Sequence, residues 1–130
     1  MDVQIVVAAA LIRDHEMLVA QRVRPPELSG LWELPGGKVA MGETEREAVA
    51  RELGEELGLR AADLAVEDRL GCDVTLTDTM VLRAYRVRLL SGEPQPHDHR
   101  ALRWVRAAEL PSLNWVPADR EWLPDLLQAL

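Results

Sequence analysis

Residues 37–59 open with Gly37-Lys38-Val39-Ala40-Met41-Gly42-Glu43 and, after seven further residues, continue as Arg51-Glu52-Leu53-Gly54-Glu55-Glu56-Leu57-Gly58-Leu59. This stretch predicts a helix over 43–57, because Gly42 precedes it, acidic residues crowd its first turn and Gly58 follows as a stop. Val49, Leu53 and Leu57 recur every four residues and form an apolar stripe. We therefore expect one face of this helix to pack on a core.

Three glutamates share one side of the predicted helix. Glu52, Glu55 and Glu56 stand at positions i, i+3 and i+4, which a helix brings together beside the apolar stripe. Like charges at this spacing repel each other by roughly 0.2–0.5 kcal/mol per pair. Arg51 can reach Glu47 and Glu55, which leaves the other two carboxylates without a cation. Such a cluster suits a hard ion such as Mg²⁺ or Mn²⁺, although a solvated acidic helix face shows the same pattern.

The spacing of the whole stretch favours the metal. Its fixed positions are Gly37, Glu43, Arg51, Glu52, Glu55, Glu56 and Gly58. Seven identities at ~7% each recur by chance with a frequency on the order of 10⁻⁸ per starting position. The chain therefore resembles the Nudix hydrolases, whose box has this pattern. The resemblance implies a Nudix fold of the α/β class, a mixed β-sheet sandwiched between helices (α/β/α).

The rest of the chain is consistent with that architecture. Apolar runs predict strands over 5–12, 17–20, 66–70, 73–76, 80–90 and 100–105, with the first two forming a hairpin and 31–34 extended. We expect a helical turn over 107–110, ended by Pro111. A last helix should begin near Pro117 or Asp119 and kink at Pro124. Strands mixed with two substantial helices indicate a mixed sheet with helices on both faces.

Length, charge and composition limit the possible functions. A chain of 130 residues is expected to form one domain over 1–130. A net charge of −7 and the scarcity of aromatic residues disfavour binding to nucleic acid polymers. The single Cys72 excludes an internal disulfide and fits a reducing cytosol, and no apolar run is long enough to span a membrane. We expect a cytoplasmic protein, a monomer or simple homodimer, whose partner is a small molecule.

The resemblance also implies a reaction and a set of residues. Water attacks a phosphorus of a nucleoside diphosphate linked to another group, with Mg²⁺, or Mn²⁺ as a substitute, between enzyme and phosphates. The catalytic residues implied are Arg51, Glu52, Glu55 and Glu56. The metal ligands implied are Glu52, Glu55, Glu56, the carbonyl of Gly36 and Asp98. Arg51 would orient a glutamate, Glu43 would support the loop, and the general base stays open among Glu52, Glu55 and Asp98.

The likeness extends over nearly the whole chain. Residues 18–22, 30–38 and 97–99, with Trp104, resemble the MutT-type nucleoside triphosphate branch, and are most similar to CTP/dCTP pyrophosphohydrolases and their mycobacterial MutT relatives. The expected substrate-binding residues are Arg22, Trp32, Gly37, Lys38, Arg83 and Asp119. An ionised Asp119 would accept a hydrogen bond from the cytosine amino group. A guanine edge also offers donors, and Asp119 has a second possible role as the cap of the last helix.

We therefore expect Mg²⁺-dependent hydrolysis of (d)CTP, and of modified cytidine triphosphates, to the nucleoside monophosphate and pyrophosphate. This activity belongs to nucleotide-pool sanitation and DNA repair. The alternative substrate is an oxidised purine nucleotide, 8-oxo-dGTP. A more remote alternative is a non-catalytic nucleotide sensor of the same fold, which would be expected to have lost box carboxylates that this chain retains.

Overall fold

Seven strands form one mixed sheet in this computed structural model, which describes residues 2–130. The strands are β1 (Gln4–Arg13), β2 (Glu16–Gln21), β3 (Trp32–Glu33), β4 (Gly36–Lys38), β5 (Leu64–Thr77), β6 (Met80–Leu89) and β7 (Ala101–Val105). Neighbours run in the order β3-β2-β1-β6-β5, with β4 paired to β1 and β7 paired to β2. Strands β1 and β6 are parallel and the other pairs are antiparallel, which confirms the expected mixed sheet.

The helix predicted over 43–57 begins two residues later than expected. Helix α1 spans Glu45–Leu57, and Thr44 is its N-cap. The Thr44 hydroxyl accepts a hydrogen bond from the Glu47 backbone at 3.1 Å, while the Glu47 carboxylate accepts one from the Thr44 backbone at 2.8 Å. This reciprocal capping box fixes the helix start. Gly58 ends the helix in a left-handed conformation with φ of 72°, as its position predicts.

Strand β1 is buried on both faces, as its unbroken apolar sequence predicts. Ala8 and Ala10 pack in a core with Trp122, on the face covered by the C-terminal helices. Leu11 packs on the opposite face with Leu53 of α1. Full burial of a leucine side chain such as Leu53 contributes about 1.5–3 kcal/mol, so α1 is firmly attached to the sheet. The helices on both faces confirm the α/β/α arrangement.

Two details of the sheet differ from expectation. The strands predicted over 66–70 and 73–76 are one strand, β5, because register shifts interrupt its pairing with β6 without ending it. The glycine pair at Gly36 does not simply end the extended segment, since β4 pairs with β1 and sets Gly37 opposite Val7. A Cβ atom on Gly36 would lie 1.9 Å from the Val7 carbonyl oxygen, so the close approach of β4 to β1 requires glycine there.

The C-terminal helical region is also divided differently. It forms α2 (Pro117–Arg120) and α3 (Leu123–Ala129) rather than one kinked helix, and Pro124 lies in the first turn of α3, where its missing N–H is not needed. Pro111 lies inside the 3₁₀ helix Ala107–Ser112 and does not end it. Two further 3₁₀ turns are Pro26–Leu28 and Ala61–Asp63. Within residues 2–130, no helix combines the length and apolarity that crossing a membrane requires.

Candidate active site

An open cleft of about 500 Å³ lies where helix α1, strand β4 and the loop before β7 meet. Its lining residues are Arg22, Glu33, Gly36, Glu52, Glu55, Glu56, His97 and Asp98. The sequence predicts six of these eight for the site, all except Glu33 and His97. Residues up to 76 positions apart in the sequence thus meet in one place, since Arg22 and Asp98 both line the cleft.

The loop that carries Asp98 is docked on the end of α1. The backbone N–H of Gln95 donates to the Leu57 carbonyl at 2.9 Å, and that of His97 donates to the Glu56 carbonyl at 3.1 Å. These bonds use carbonyls of the last helical turn, which have no partner within the helix. The docking therefore places Asp98 beside the glutamates of α1 across a long separation in sequence.

Arg51 holds the loop before α1 through Glu43. Its Nε and Nη2 each lie 2.8 Å from one carboxylate oxygen of Glu43, and Nη2 also donates to the Lys38 carbonyl at 3.0 Å. The hydrogen bonds from Arg51, together with one from the Ala40 backbone, lower the pKa of Glu43 from 4.5 to about 2. Glu43 thus supports the loop, in the role that the resemblance implies.

Arg51 also binds two of the expected metal ligands. Its Nη1 donates to Glu52 at 2.8 Å and to Glu55 at 3.0 Å. The expected contact with Glu47 is not made, because that side chain belongs to the capping box. Arg51 therefore offsets part of the repulsion among the glutamates on the cleft side of α1.

Glu56 is the most buried carboxylate of the cleft, with 7% of its surface exposed. Burial raises its pKa from 4.5 to about 9, with further contributions from a hydrogen bond and repulsion involving Glu52 and from the charge of Glu33. The backbone of Gly36 opposes this rise. Without a cation, Glu56 therefore keeps a proton beside Glu52, and a positive charge bound there would replace that proton.

The donor chemistry of this cleft fits a hard divalent cation. The carboxylates face one another beside the backbone of Gly36, and hard ions prefer oxygen ligands. Glu52 also lies directly over the glycine pair, since a Cβ on Gly37 would be 2.4 Å from its carboxyl carbon. Among residues 2–130, however, no three acidic, histidine or cysteine side chains are already arranged to hold an ion. Arg51 draws Glu52 and Glu55 to itself, so a cation must compete with its guanidinium for them.

Arg22, Glu33 and His99 form a hydrogen-bonded series at the other end of the cleft. Arg22 Nη1 donates to one oxygen of Glu33 at 2.8 Å, and His99 Nε2 lies 2.9 Å from the other oxygen. His99 Nε2 is also 3.7 Å from Glu56. No local sequence pattern predicts this series of contacts, because Glu33 and His99 are 66 residues apart. The one sequence signal that could have identified Glu33 as a site residue is its position within residues 30–38, which resemble the MutT-type branch.

Asp119 is buried near Glu33 and Arg22, with 4% of its surface exposed. Its Oδ2 accepts a hydrogen bond from the Leu34 backbone at 2.9 Å. Burial raises its pKa from 3.8 to about 8, which the Leu34 N–H opposes and the charge of Glu33 reinforces. Near pH 7 the carboxyl group is therefore mainly neutral and donates as well as accepts, unlike the ionised group expected from the sequence. The capping role is wrong, because Val116 is the N-cap of α2 and Trp122 is the N-cap of α3.

Trp32 connects the Asp119 region to the sheet. Its backbone pairs with that of Trp115, through bonds from Val116 N–H to the Trp32 carbonyl and from Trp32 N–H to the Asn114 carbonyl, both 2.8 Å. The Trp32 side chain is partly buried against the core that contains Trp115. This pairing brings the start of α2 next to β3. Strand β3 is followed two residues later by Gly36 and Gly37 of β4.

The structure does not bring Arg83 to the cleft. Its guanidinium makes two hydrogen bonds to Asp73, at 2.9 and 2.7 Å, and one to Glu45 at 2.7 Å. Tyr85, two residues along β6, also donates to Glu45. Arg83 and Tyr85 therefore face the first turn of α1, where acidic partners occupy them. Lys38 is exposed beside the cleft and contributes its carbonyl to Arg51.

Comparison with known protein families and sequences agrees with this geometry. The profile of the NUDIX domain matches residues 3–126. A Mycobacterium tuberculosis protein named "Putative 8-oxo-dGTP diphosphatase 2" is 68% identical over 127 residues, which cover 98% of this chain and 90% of that protein. The CTP pyrophosphohydrolase of Escherichia coli is 38% identical over 116 residues, which cover 88% of this chain and 84% of that enzyme.

Solved structures show the same fold. The solution structure of the E. coli ORF135 protein matches with a TM-score of 0.80 and 32% identity, covering 98% of this chain and 91% of that one. The crystal structure of a MutT NUDIX hydrolase from Burkholderia pseudomallei matches with a TM-score of 0.76 and 35% identity, covering 96% and 98% of the two chains.

Proposed function

The chain belongs to the NUDIX domain family and is a MutT-type nucleotide pyrophosphohydrolase, and from that premise we propose that it converts 8-oxo-dGTP to the monophosphate and pyrophosphate. The observation that carries the choice of substrate is the 68% identity, over almost the full length of both chains, to the M. tuberculosis protein named for that substrate. The activity would remove an oxidised nucleotide from the pool that supplies DNA synthesis.

In this proposal the carboxylates of α1 hold the metal together with a backbone carbonyl of β4 and a carboxylate of the loop before β7. The proposed ligands are Glu52, Glu55, Glu56, the Gly36 carbonyl and Asp98. Bound Mg²⁺, or Mn²⁺ in its place, supplies charge neutralisation for the polyphosphate and a lower pKa for water. Arg51 fixes the loop before α1 to the helix through its two hydrogen bonds to Glu43.

A group that takes a proton from water must be accessible to that water. Among the carboxylates considered for this role, Glu55 and Asp98 are the most accessible, with 60% and 52% of their side chains exposed, against 15% for Glu52. Glu56 is buried and retains its own proton when no cation is present. Of the three candidates Glu52, Glu55 and Asp98, we therefore propose Glu55 or Asp98 as the general base.

Of the nucleotide-binding residues in this proposal, Arg22 lines the cleft itself, whereas Trp32, Lys38 and Asp119 lie outside its lining. Arg22 is the one arginine among the residues that line it, so it is proposed to bind the triphosphate, with Lys38 at the rim. Asp119 is proposed to read the base, with Trp32 beside it. A neutral carboxyl group offers one donor and one acceptor, which match the O6 and N7–H edge of 8-oxoguanine and equally the N3 and amino edge of cytosine.

Cytidine triphosphates are the second candidate, because both the sequence resemblance and specific relatives point to them. The CTP pyrophosphohydrolase of E. coli is 38% identical over most of both chains. Since a neutral Asp119 fits either base edge, the site geometry does not separate the two substrates, and their order rests on the degree of identity to the named relatives.

The test is a panel of 8-oxo-dGTP, dGTP, dCTP and CTP with Mg²⁺, assayed by release of pyrophosphate. The ratio of kcat/KM values measures the discrimination between two substrates directly. We expect 8-oxo-dGTP to have the highest value. A higher value for dCTP or CTP would transfer the proposal to the second candidate. Tight nucleotide binding without hydrolysis in Mg²⁺ or Mn²⁺ would contradict both and indicate a sensor.

We also propose that the protein acts in the cytoplasm as a monomer or simple homodimer. The single exposed Cys72 is consistent with a reducing compartment. Sedimentation equilibrium at two concentrations measures the oligomeric state, and a larger assembly would contradict this part of the proposal.

A further inference from the structure

His99 is a polar side chain in a position where an apolar one would be expected. Its side chain is 4% exposed, and its Nδ1 atom has no hydrogen-bond partner within residues 2–130. An unpaired buried acceptor is unfavourable, so an apolar residue of similar size would suit packing better. The polar contact of the other ring nitrogen must therefore be what this position provides.

That contact is a hydrogen bond to Glu33. A carboxylate oxygen only accepts, so the Nε2 atom of His99, 2.9 Å from Glu33 Oε2, carries the proton and donates it. The second oxygen of Glu33 accepts from Arg22 Nη1 at 2.8 Å. Glu33 is therefore held from both sides, and its orientation fixes where the guanidinium of Arg22 lies.

Arg22 has one further anchor. Its Nε donates to the Arg24 carbonyl at 2.9 Å, so the described residues, 2–130, engage two of its three guanidinium nitrogens. Nη2 is then left for a ligand in the cleft. Arginine binds phosphate well when its planar donor group is held in the correct orientation beforehand.

We infer that His99 is a positioning residue that orients Arg22 toward the triphosphate through Glu33. The inference rests on the proposed function, because it concerns how the same cleft binds its nucleotide. His99 Nε2 is 3.7 Å from Glu56, beyond hydrogen-bond distance, so the hydrogen bond that His99 donates goes to Glu33 and not to the proposed metal ligand.

The test compares three replacements of His99 with a remote histidine variant. H99Q places an amide nitrogen near the position of Nε2, H99N places it near Nδ1, and H99L removes the donor. H15N, in an exposed turn of the β1–β2 hairpin, is the matched control. KM, kcat and the Mg²⁺ concentration for half-maximal rate are measured with the best substrate of the wild-type protein, and thermal melting reports folding.

We expect H99L and H99N to raise KM roughly ten-fold, the effect of one charge-assisted hydrogen bond, with little change in kcat or in the Mg²⁺ requirement. H99Q and H15N should stay near wild type. In an R22A background, H99L should add little, because both changes act through the same guanidinium. If H99L does not fold, the comparison of H99Q with H99N decides the question.

An unchanged KM in H99L, equal KM values in H99Q and H99N, or additive effects of R22A and H99L would overturn the inference. A change confined to kcat or to the Mg²⁺ requirement would also overturn it and connect His99 to Glu56 instead. A wild-type protein that hydrolyses no nucleoside triphosphate would refute the proposed function, whereas normal wild-type turnover with unaltered KM in H99L would refute this inference alone.

Discussion

Arg51 and Glu43 form a two-point ion pair, in which Nε and Nη2 of the arginine each lie 2.8 Å from a different oxygen of the glutamate. Glu43 also accepts a hydrogen bond from the Ala40 backbone at 2.8 Å. The pair therefore fastens the loop before α1 to the second turn of the helix. Because Arg51 is adjacent to Glu52, the same contact sets the distance between the glycine turn and the first carboxylate of the cleft.

The first prediction concerns R51K. Lysine carries its charge at one point and cannot make two parallel hydrogen bonds, so we expect kcat/KM to fall roughly ten-fold or more in a folded protein. A pKa of Glu43 lowered from 4.5 to about 2 stabilises the fold above about pH 4.5, and this contribution is lost as the pH falls toward 2. The stability difference between wild type and R51K, measured by urea unfolding, should therefore shrink between pH 7 and pH 3. A difference that is constant with pH would contradict this account.

The second prediction concerns Glu56 as a metal ligand. E56Q keeps the shape of the buried side chain but loses its capacity to bear a negative charge, and we expect kcat to fall roughly 10²-fold or more. Mg²⁺ should raise the Tm of the wild-type protein and have a smaller effect on E56Q, because ligand binding stabilises only the state that binds it. The exposed Glu121 provides the control variant, E121Q. Equal Mg²⁺ responses in E56Q and wild type would remove Glu56 from the metal site.

The third prediction is a pH dependence of stability caused by Asp119. Its pKa is about 8 in the folded protein and 3.8 ordinarily, so between these values the unfolded chain releases a proton that the folded chain retains. Stability should fall as the pH rises through this range, by at most about 1.4 kcal/mol per pH unit, and level off above it. D119N does not titrate and still accepts the Leu34 hydrogen bond. Its stability relative to wild type should therefore increase from pH 5 to pH 8, and parallel urea-unfolding profiles would show the expectation to be wrong.

The fourth prediction tests Asp119 as the reader of the base. D119A removes both the donor and the acceptor, so the ratio of kcat/KM values for 8-oxo-dGTP and dCTP should move toward one while hydrolysis persists. The variant also leaves the Leu34 N–H without its acceptor, which costs about 1–3 kcal/mol of stability. Assays well below the melting temperature separate the two effects. An unchanged ratio would restrict Asp119 to a structural role.

The fifth prediction concerns Arg83, which the sequence predicts to bind substrate. Since the structure directs its guanidinium to Asp73 and Glu45, R83A should leave kcat and KM within about two-fold of wild type. Loss of this partly buried network should lower the Tm by a few degrees, corresponding to about 1 kcal/mol. R86A, an exposed change on the same strand, is the matched control. A large rise in KM for R83A alone would restore the original prediction.

The features predicted correctly from the sequence depend on local periodicity. Positions i, i+3 and i+4 place the box glutamates on one side of α1, and Gly58 marks the end of that helix. The capping box formed by Thr44 and Glu47 has a recognisable sequence pattern and would have corrected the start of the helix. The burial of β1 on both faces follows from an unbroken apolar run between two helical layers.

The features that the sequence did not predict depend on contacts between distant residues. Glu33 and His99 are 66 positions apart, and no spacing rule connects them. The partners of Arg83 are 10 and 38 residues away, so the direction of its side chain depends on strand pairing. The raised pKa of Asp119 results mainly from its burial, which the chemical identity of the residue alone cannot reveal.

The order of residues on α1 has a consequence for heat inactivation. Glu52 precedes Leu53 and Glu56 precedes Leu57, and both leucines are fully buried against the sheet. The carboxylates therefore have no hinge of their own, since displacing them also pulls leucines out of the interior. Loss of turnover on warming should coincide with cooperative melting. Activity should not decrease at a lower temperature, at which the fold is still intact.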